Sequence, residues 1–357
     1  MDARYATAVT LHCGLAALVG LGACNARPAP IVPEDRINAM SVVVSTESAR
    51  LSGPVDLAVD EKGLLYVLDY SAAQVLVVTA DGAQVRTIAR PGSGPGELQR
   101  PGSLVVARES LRVTDPGNGR LQTLTLTGGF TRSVPLPPVS NMGPVAIAED
   151  GGFLITTLGM HGTLAEYYDP SGDERARMGT PPDSVAPVVS PLQSKQDLVA
   201  GRVPALFRNA VLPVVAADGE MWLILVGEGV LQRYSKAGAL QLSVALQTAE
   251  MKRVREEVVA DAKATLDDPR HLKALRYILD AAVVGRTLWV LVNTTADGPA
   301  VLLAIDPTGQ VTRRLTFPNI RGARAFVLDP SRARVFFALS ADASVVASSL
   351  PDSVLRQ

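Results

Sequence analysis

An internal repeat constrains this chain more than any other feature. Residues 53–85, GPVDLAVDEKGLLYVLDYSAAQVLVVTADGAQV, align with residues 100–130, RPGSLVVARESLRVTDPGNGRLQTLTLTGGF, placing Asp69 on Asp115 and Gly82 on Gly128, 46 residues apart in each case. Each unit holds short apolar runs separated by turn residues every 8–12 positions. In the first unit they are Val55–Val59, Leu64–Leu68, Val75–Thr79 and Gln84–Ala89, which predicts four strands joined by turns such as Asp81-Gly82. A unit of this size cannot bury both faces of its own sheet, so the units must pack on one another.

The pattern continues in weaker form. GPVAIAEDGGFLITTLG (143–159) leads to Gly172, 44 residues after Gly128; LPVVAADGEMWLILVG (212–227) leads to Gly238; DAAVVGRTLWVLVN (280–293) leads to Gly309; and ARAFVLDPSRARVFFALS (323–340) leads to SVVASSLPD. That makes six units, of which the last has only seven residues left from Pro351, too few for its fourth strand. An unassigned strand, MSVVVSTE (40–47), precedes the first unit and balances the deficit. The expected fold is all-β: a six-bladed β-propeller closed by an N-terminal strand. A ring removes the unpaired terminal edges that would otherwise template aggregation.

In such a ring the loops fall into two sets. Turns between first and second strands, and between third and fourth, open on one face and are short throughout (DEKG, ADG, EDGG, DPSG, KAG, DPTG). Second-to-third-strand turns and blade-to-blade crossovers open on the other face. All the long connections, 90–100, 133–143, 174–211 and 245–280, belong there. Long loops on one side of a rigid scaffold point to that side as the functional one. The crossover PGSGPGELQRPG (91–102) must travel from the outermost strand of one blade to the innermost of the next, and Gly and Pro let it turn sharply. Pro101, Pro54 and Pro144 stand where inner strands begin, a place that tolerates a missing N–H.

The 245–280 crossover predicts a helical insertion between blades 4 and 5, over about 247–279. Met251, Val254, Val258, Ala262 and Thr265 form a stripe opposite Lys252, Arg255, Glu256 and Lys263. Asp268-Pro269 reads as the cap of a second helix, Pro269 to Leu279, with Leu272, Leu275 and Leu279 on its apolar side. The insertion is expected to pack on the propeller and shield the channel mouth, or to serve as a lid.

SGPGELQRPGSLVV with LLYVLDYSAAQVLVVTADG resembles the NHL-repeat family and related six-bladed propeller lipoproteins of bacteria. The resemblance is close over about 53–130. Leu98 stands where that family usually has Phe, and Ala72-Ala73-Gln74 replaces an Asn-containing turn, whereas Asp115, Asn118 and Arg120 in VTDPGNGRLQ keep the pattern. GEMWLIL and GRTLWVLV resemble the second strand common in those lipoproteins.

The N-terminus fits the same class. Ala8 to Ala23 is apolar apart from Thr10 and His12, too short for a membrane span and of the length of a secretory signal. Leu21-Gly22-Ala23-Cys24 resembles a bacterial lipobox, which implies cleavage before Cys24 and lipidation of its thiol. The expected layout is a lipoprotein signal peptide over 1–23, a Pro-rich tether over 24–37 and the propeller over 38–357. The chain would be secreted across the inner membrane and held by its lipid at the outer membrane or cell surface. Cys13 and Cys24 are the two cysteines, so the mature domain would have no disulfide and must hold by packing. At 47% hydrophobic residues that is affordable. A formal net charge of −1 removes nucleic acid as a default partner, and a monomer is expected.

Chemistry is sparse. The sequence shows no nucleophile elbow, P-loop or dinucleotide fingerprint. His161, in LGMHGTL, falls on the elaborated face, and His271 on the exposed side of the second expected helix. Arg100, Arg120 and Arg208 would give the rim a cationic spot, and with Asn118 and His161 they are the candidate ligand-binding residues. Propeller hydrolases of the gluconolactonase and paraoxonase type hold calcium with Glu, Asn and Asp in the channel mouth. By that resemblance Asp69, Asp115, Asn209 and Asn293 are the weak candidates for a metal. The reading is a lipid-anchored module that binds a protein or an envelope glycan through its elaborated face, without cofactor or catalytic residues. The alternative is a Ca²⁺-dependent hydrolase or lyase.

Overall fold

The four apolar runs of each unit form strands because every blade is sandwiched between two others. In blade 1 the strands are Pro54–Val59, Leu65–Asp69, Gln74–Val78 and Gln84–Ile88, hydrogen-bonded in that order from the axis outward. The second strand is buried at every position, which is why LYVLD, MWLIL and LWVLV read as continuous apolar runs. The outer strand, Gln84–Ile88, buries only its last residue and is otherwise polar.

This computed structural model describes residues 32–45, 51–183, 190–295, 298–351 and 354. The expected signal peptide, Cys24 and most of the expected tether lie outside the described residues. Blades 2, 3 and 4 repeat the antiparallel four-strand pattern, starting at Leu104, Val145 and Val211. Blade 5 begins at Ile278, and its sheet gains a fifth strand, Glu34–Arg36, which pairs in parallel with the outer strand Val311–Arg321. The end of the expected tether is therefore part of the sheet, held by Asp35 on Arg313 and by Thr316 on Glu34.

Blade 6 is built from both ends of the chain. Ala323–Asp329, Arg334–Leu339 and Val345–Ser349 are completed by Ser41–Val44, with Ser41 opposite Ala347, Val42 opposite Val346 and Val44 opposite Val345. Val44 is 1% exposed and packs with Leu51, Leu57, Val67 and Ala338, so the clasp also joins blade 6 to blade 1. Gly82, in the last turn of blade 1, makes room for it. Its φ is +91°, and a Cβ there would lie 1.9 Å from the carbonyl oxygen of Val43.

The expected 174–211 connection is shorter than its sequence suggested, because Glu174–Met178 forms the outer strand of blade 3, and it carries two helices that its pattern did not announce, α1 (Pro191–Val199) and α2 (Ala205–Arg208). In the next crossover α3 (Ala249–Ala264) forms as expected, capped by Thr248 and burying Met251, Val254, Val258 and Ala262 against blades 4 and 5. Lys195 of α1 is fully buried and donates its ammonium hydrogens to the carbonyls of Thr265 and Asp268, just beyond the negative end of the α3 dipole.

Two expectations fail here. Pro269–Leu279 is not a helix: the chain turns at Asp268, whose carboxylate accepts from the Arg270 amide, and then runs extended into blade 5. Leu275 and Tyr277, two apart, are both buried, the period of extended chain, because this segment must deliver Ile278 to the axis. His271 accordingly lies off any helix and pairs with Asp261 of α3 at 2.8 Å. Nor does α3 shield the channel, since no residue lining the channel belongs to it.

If the clasp depends on that backbone approach, Gly82→Ala should cost more than Gly128→Ala, whose turn has the same left-handed φ but whose added Cβ meets side-chain carbons at ordinary distance. Both lose about 1 kcal/mol or more to the left-handed conformation. The excess at Gly82 should appear as a lower melting temperature together with earlier proteolysis of the N-terminal strand.

Candidate functional site

The six inner strands enclose a channel of about 390 Å³. Most of its wall is Val, Leu and Ala, but the end where the crossovers enter is polar: Asp56, Ser103, Arg276, Asp280 and Arg324 line it. Three of these sit at irregularities. The pairing register slips between Pro54 and Asp56, between Ile278 and Asp280, and between Ala323 and Ala325, so Asp56, Asp280 and Arg324 all fall where an inner strand is re-aimed.

The two aspartates do the same structural work in different blades. Asp56 accepts from its neighbour's amide, Leu57, and from the Leu104 amide of blade 2, both at 2.8 Å. Asp280 accepts from Ala281 at 2.9 Å and from the Phe326 amide of blade 6 at 2.8 Å. Each carboxyl thus staples the inner strand of one blade to the next. Burial, together with the charge of Asp280, pushes the Asp56 carboxyl up to about 7. Burial raises Asp280 to about 6, opposed by the Phe326 and Ala281 amides and by Arg276. Arg276 donates to the carbonyls of Ile278 and Leu279, and burial holds its guanidinium below the usual range. Arg324 is exposed and has neither a hydrogen bond nor an ion pair with a described residue.

The sequence candidates lie elsewhere on the same face and are mostly occupied. Asp69 is fully buried and accepts from the amides of Ser52, Ser71 and Ala72. Asp115, equally buried, accepts from the Gln99 amide, Asn118, Arg120 and Gln122. Asn118 also donates to Gly92, and Arg120 to the carbonyls of Gly94 and Glu97, so this set wires the 91–100 crossover in place. Arg208 bridges Asp183 at 2.6 Å and Glu228 at 2.8 Å. Asn209 donates to Leu158 and Asp183, leaving its buried Oδ1 without a partner among the described residues. Asn293 spans the Arg276 carbonyl and the Thr295 amide. Asp69, Asp115, Asn209 and Asn293 therefore stand in four different blades or crossovers, each engaged by backbone or side-chain groups of its own surroundings. Among the described residues no group of three or more His, Cys, Asp or Glu is placed to share a metal ion.

Two candidates keep a free reach. His161, half-exposed, sets Nδ1 2.7 Å from the buried Glu166, which also accepts from Tyr168 at 2.8 Å. Arg100 is exposed and without a hydrogen bond or ion pair to any described residue. The channel-mouth residues Asp56, Arg276, Asp280 and Arg324 were missed in the sequence, although an aspartate inside the apolar inner runs PVDLAV and LDAAVV was a visible signal.

No family model matches the chain, and no curated protein sequence matches it. Its architecture is similar to a putative exported protein from Bacteroides fragilis (11% identity, TM-score 0.54, covering 88% of this chain and 98% of that one). It is also similar to regucalcin, a calcium-binding protein from Agrobacterium tumefaciens (10%, 0.53, 90% and 96%), and to virginiamycin B lyase from Staphylococcus aureus (14%, 0.51, 88% and 99%). The chain is a six-bladed β-propeller. At these identities the likeness carries the fold and leaves the chemistry to the residues.

The raised carboxyls make a signed prediction. Both are protonated in the fold at pH values where the unfolded chain has already lost the proton, so their contribution is complete below about pH 4. It declines as pH rises and is gone above about 7. The melting temperature should fall from pH 5 to pH 8, and the fall should flatten in Asp56→Ser/Asp280→Ser, serine being what blade 2 carries at the mouth as Ser103.

Proposed function

We propose that this propeller is an exported, lipid-anchored binding module whose crossover face engages a protein or glycan of the cell envelope without covalent chemistry. The observation that carries the reading is the channel mouth. An unpartnered guanidinium, Arg324, lines the same mouth as two half-buried carboxyls, Asp56 and Asp280, already locked in position by backbone amides. Polar groups fixed before a ligand arrives cost little ordering on binding, which suits recognition. The long crossovers around the mouth supply the remaining contact surface. Export is supported by the leader-like sequence ahead of the propeller and by the likeness to an exported protein.

The second reading, a Ca²⁺-dependent hydrolase or lyase, has support from two neighbours, a calcium-binding protein and a lyase. Against it stands the use already made of the residues that would hold the ion: Asp69 and Asp115 are saturated by turn amides and neighbouring donors. An ion bound only by the folded state would raise the melting temperature. No rise of more than about one degree is expected with millimolar Ca²⁺, Mg²⁺, Mn²⁺ or Zn²⁺, and a rise of several degrees with one of them would favour the enzyme. Retention on purified envelope glycan or membrane protein should be lost in Arg324→Glu and kept in Lys236→Glu, a change on the short-turn face; equal retention of the two would refute the sidedness.

The anchor is tested separately. Cys24→Ser should move the protein from the membrane fraction to the soluble secreted fraction, and unchanged fractionation would overturn the lipid attachment.

A further inference from the structure

Between blades 1 and 2, on the crossover face, lies a cleft of about 490 Å³. Its floor is apolar: Leu98 is fully buried and Ala73 nearly so. Its walls are not. Tyr70, 44% exposed, presents a phenol ring, and Ser71, Gln99 and Arg100 add a hydroxyl, an amide and a guanidinium. None of these four side chains has a hydrogen-bond partner among the described residues, so their polar atoms are available to a ligand.

Arg100 is the decisive residue. It holds a left-handed φ of +54° immediately before Pro101, a conformation that glycine adopts without strain and that a residue carrying a Cβ before proline does not. Nothing in the fold recovers that cost, because the guanidinium is exposed and unpaired. Strain retained at a cleft wall, with no structural return, is a sign that the side chain serves a ligand. The wall it stands on is also rigid. Asp115 holds the Gln99 amide at 2.6 Å, Asn118 holds Gly92, Arg120 holds Gly94 and Glu97, and the Gly92 and Leu98 amides close the loop onto Leu98 and Arg90. The donor set that looked like a ligand site in the sequence thus builds one wall of this cleft and leaves Arg100 aimed outward from it.

We propose that the cleft binds a carboxylated sugar, as a monomer unit of an acidic polysaccharide. The match is chemical. The phenol ring of Tyr70 offers a flat apolar face for the C–H face of a pyranose. Ser71 and Gln99 exchange hydrogen bonds with ring hydroxyls. Arg100 takes the carboxylate, for which its planar fork is suited. An acidic peptide would satisfy Arg100 alone. It would gain nothing from a lone aromatic beside hydroxyl and amide groups, and no described strand supplies a residue to the cleft lining for its backbone to pair with. The inference rests on the reading that the crossover face binds ligand, and it names the ligand class and the subsite.

The test is calorimetric titration of the full chain with oligogalacturonate, with a neutral galactose oligomer of equal length, and with an oligoglutamate. Binding of the first, at least ten-fold tighter than either of the others, is the expected result. Arg100→Gly should weaken oligogalacturonate binding ten-fold or more while leaving the melting temperature unchanged or higher, because glycine relieves the left-handed strain. Tyr70→Ala should weaken both sugars together. Equal binding of oligoglutamate would overturn the sugar assignment in favour of a peptide. Oligogalacturonate binding that survives Arg100→Gly but is lost in Arg324→Glu would move the site to the channel mouth, overturning the cleft while sparing the binding face. No binding of any of the three ligands would overturn the proposal, without bearing on envelope proteins as partners of the mouth.

Discussion

Everything in this molecule depends on ring closure by the antiparallel pairing of Ser41–Val44 with Val345–Ser349. Six radial sheets stacked side by side leave two terminal faces, each lined by apolar side chains. In the closed ring those faces meet, so Phe336, Ala338 and Val345 of blade 6 share one buried cluster with Leu57, Val67 and Leu76 of blade 1. The hydrogen bonds of the clasp contribute modestly one by one. Their larger effect is to hold the two ends of the chain in one sheet, so that separating blade 6 from blade 1 requires breaking a β-ladder as well as exposing that cluster. With no cysteine in the propeller, this ladder and the parallel pairing of Glu34–Arg36 with Val311–Arg321 hold the N-terminal segment to the last two blades without a covalent bond.

Closure also fixes the two faces and therefore the division of labour between loops. A short turn between first and second strands, or third and fourth, is saturated by its own backbone: Gly82, Gly128, Gly172, Gly238 and Gly309 each donate to the carbonyl three residues before. A crossover has no such local partner, because it runs radially between blades, and its backbone groups must be satisfied by side chains. Asp115, Asn118, Arg120 and Gln122 meet that need for 91–100, and Asp69 does the same on a smaller scale for the start of blade 1. This is why polar residues concentrate on the crossover face, and why most of them are structural.

How much of this could be read from the chain follows from the range of each interaction. The blade count, the strand order and the stripe of α3 depend on spacing within tens of residues, and they were legible; the clasp joins segments about 300 residues apart and was legible only because the last unit lacked a strand that the N-terminus had to spare. The small helices α1 and α2 were not, since α1 has a weak apolar stripe and is held by a buried lysine whose partners, Thr265 and Asp268, lie some 70 residues away. The 269–277 segment carried a false helical signal because Leu272, Leu275 and Leu279 fit a spacing of three to four. Its real determinant is the distance to the axis. Of the site, the face was legible and the roles were not. Asn118, Arg120 and Arg208 were singled out as cations and donors, but whether a donor is free depends on carbonyls and carboxylates that only the folded chain brings near.

What remains after these structural duties are assigned is a departure from the repeat. At the inner-strand position facing the penultimate residue of the second strand, blade 4 places Leu212 and blade 6 Ala325, whereas blades 1 and 5 place Asp56 and Asp280. The repeat does not by itself demand aspartate there, since an apolar residue serves in two blades; where aspartate stands it staples the next blade's amide, at the cost of a carboxyl that burial raises. The same holds for Arg100, where other blades enter on Gly53, Ala210 or Tyr277. A repeat protein is under the same packing constraint in every unit, so a costly residue present in some units and dispensable in others is one that packing did not select. By that criterion the channel mouth and the cleft between blades 1 and 2 are the two places where the chain departs from what packing requires.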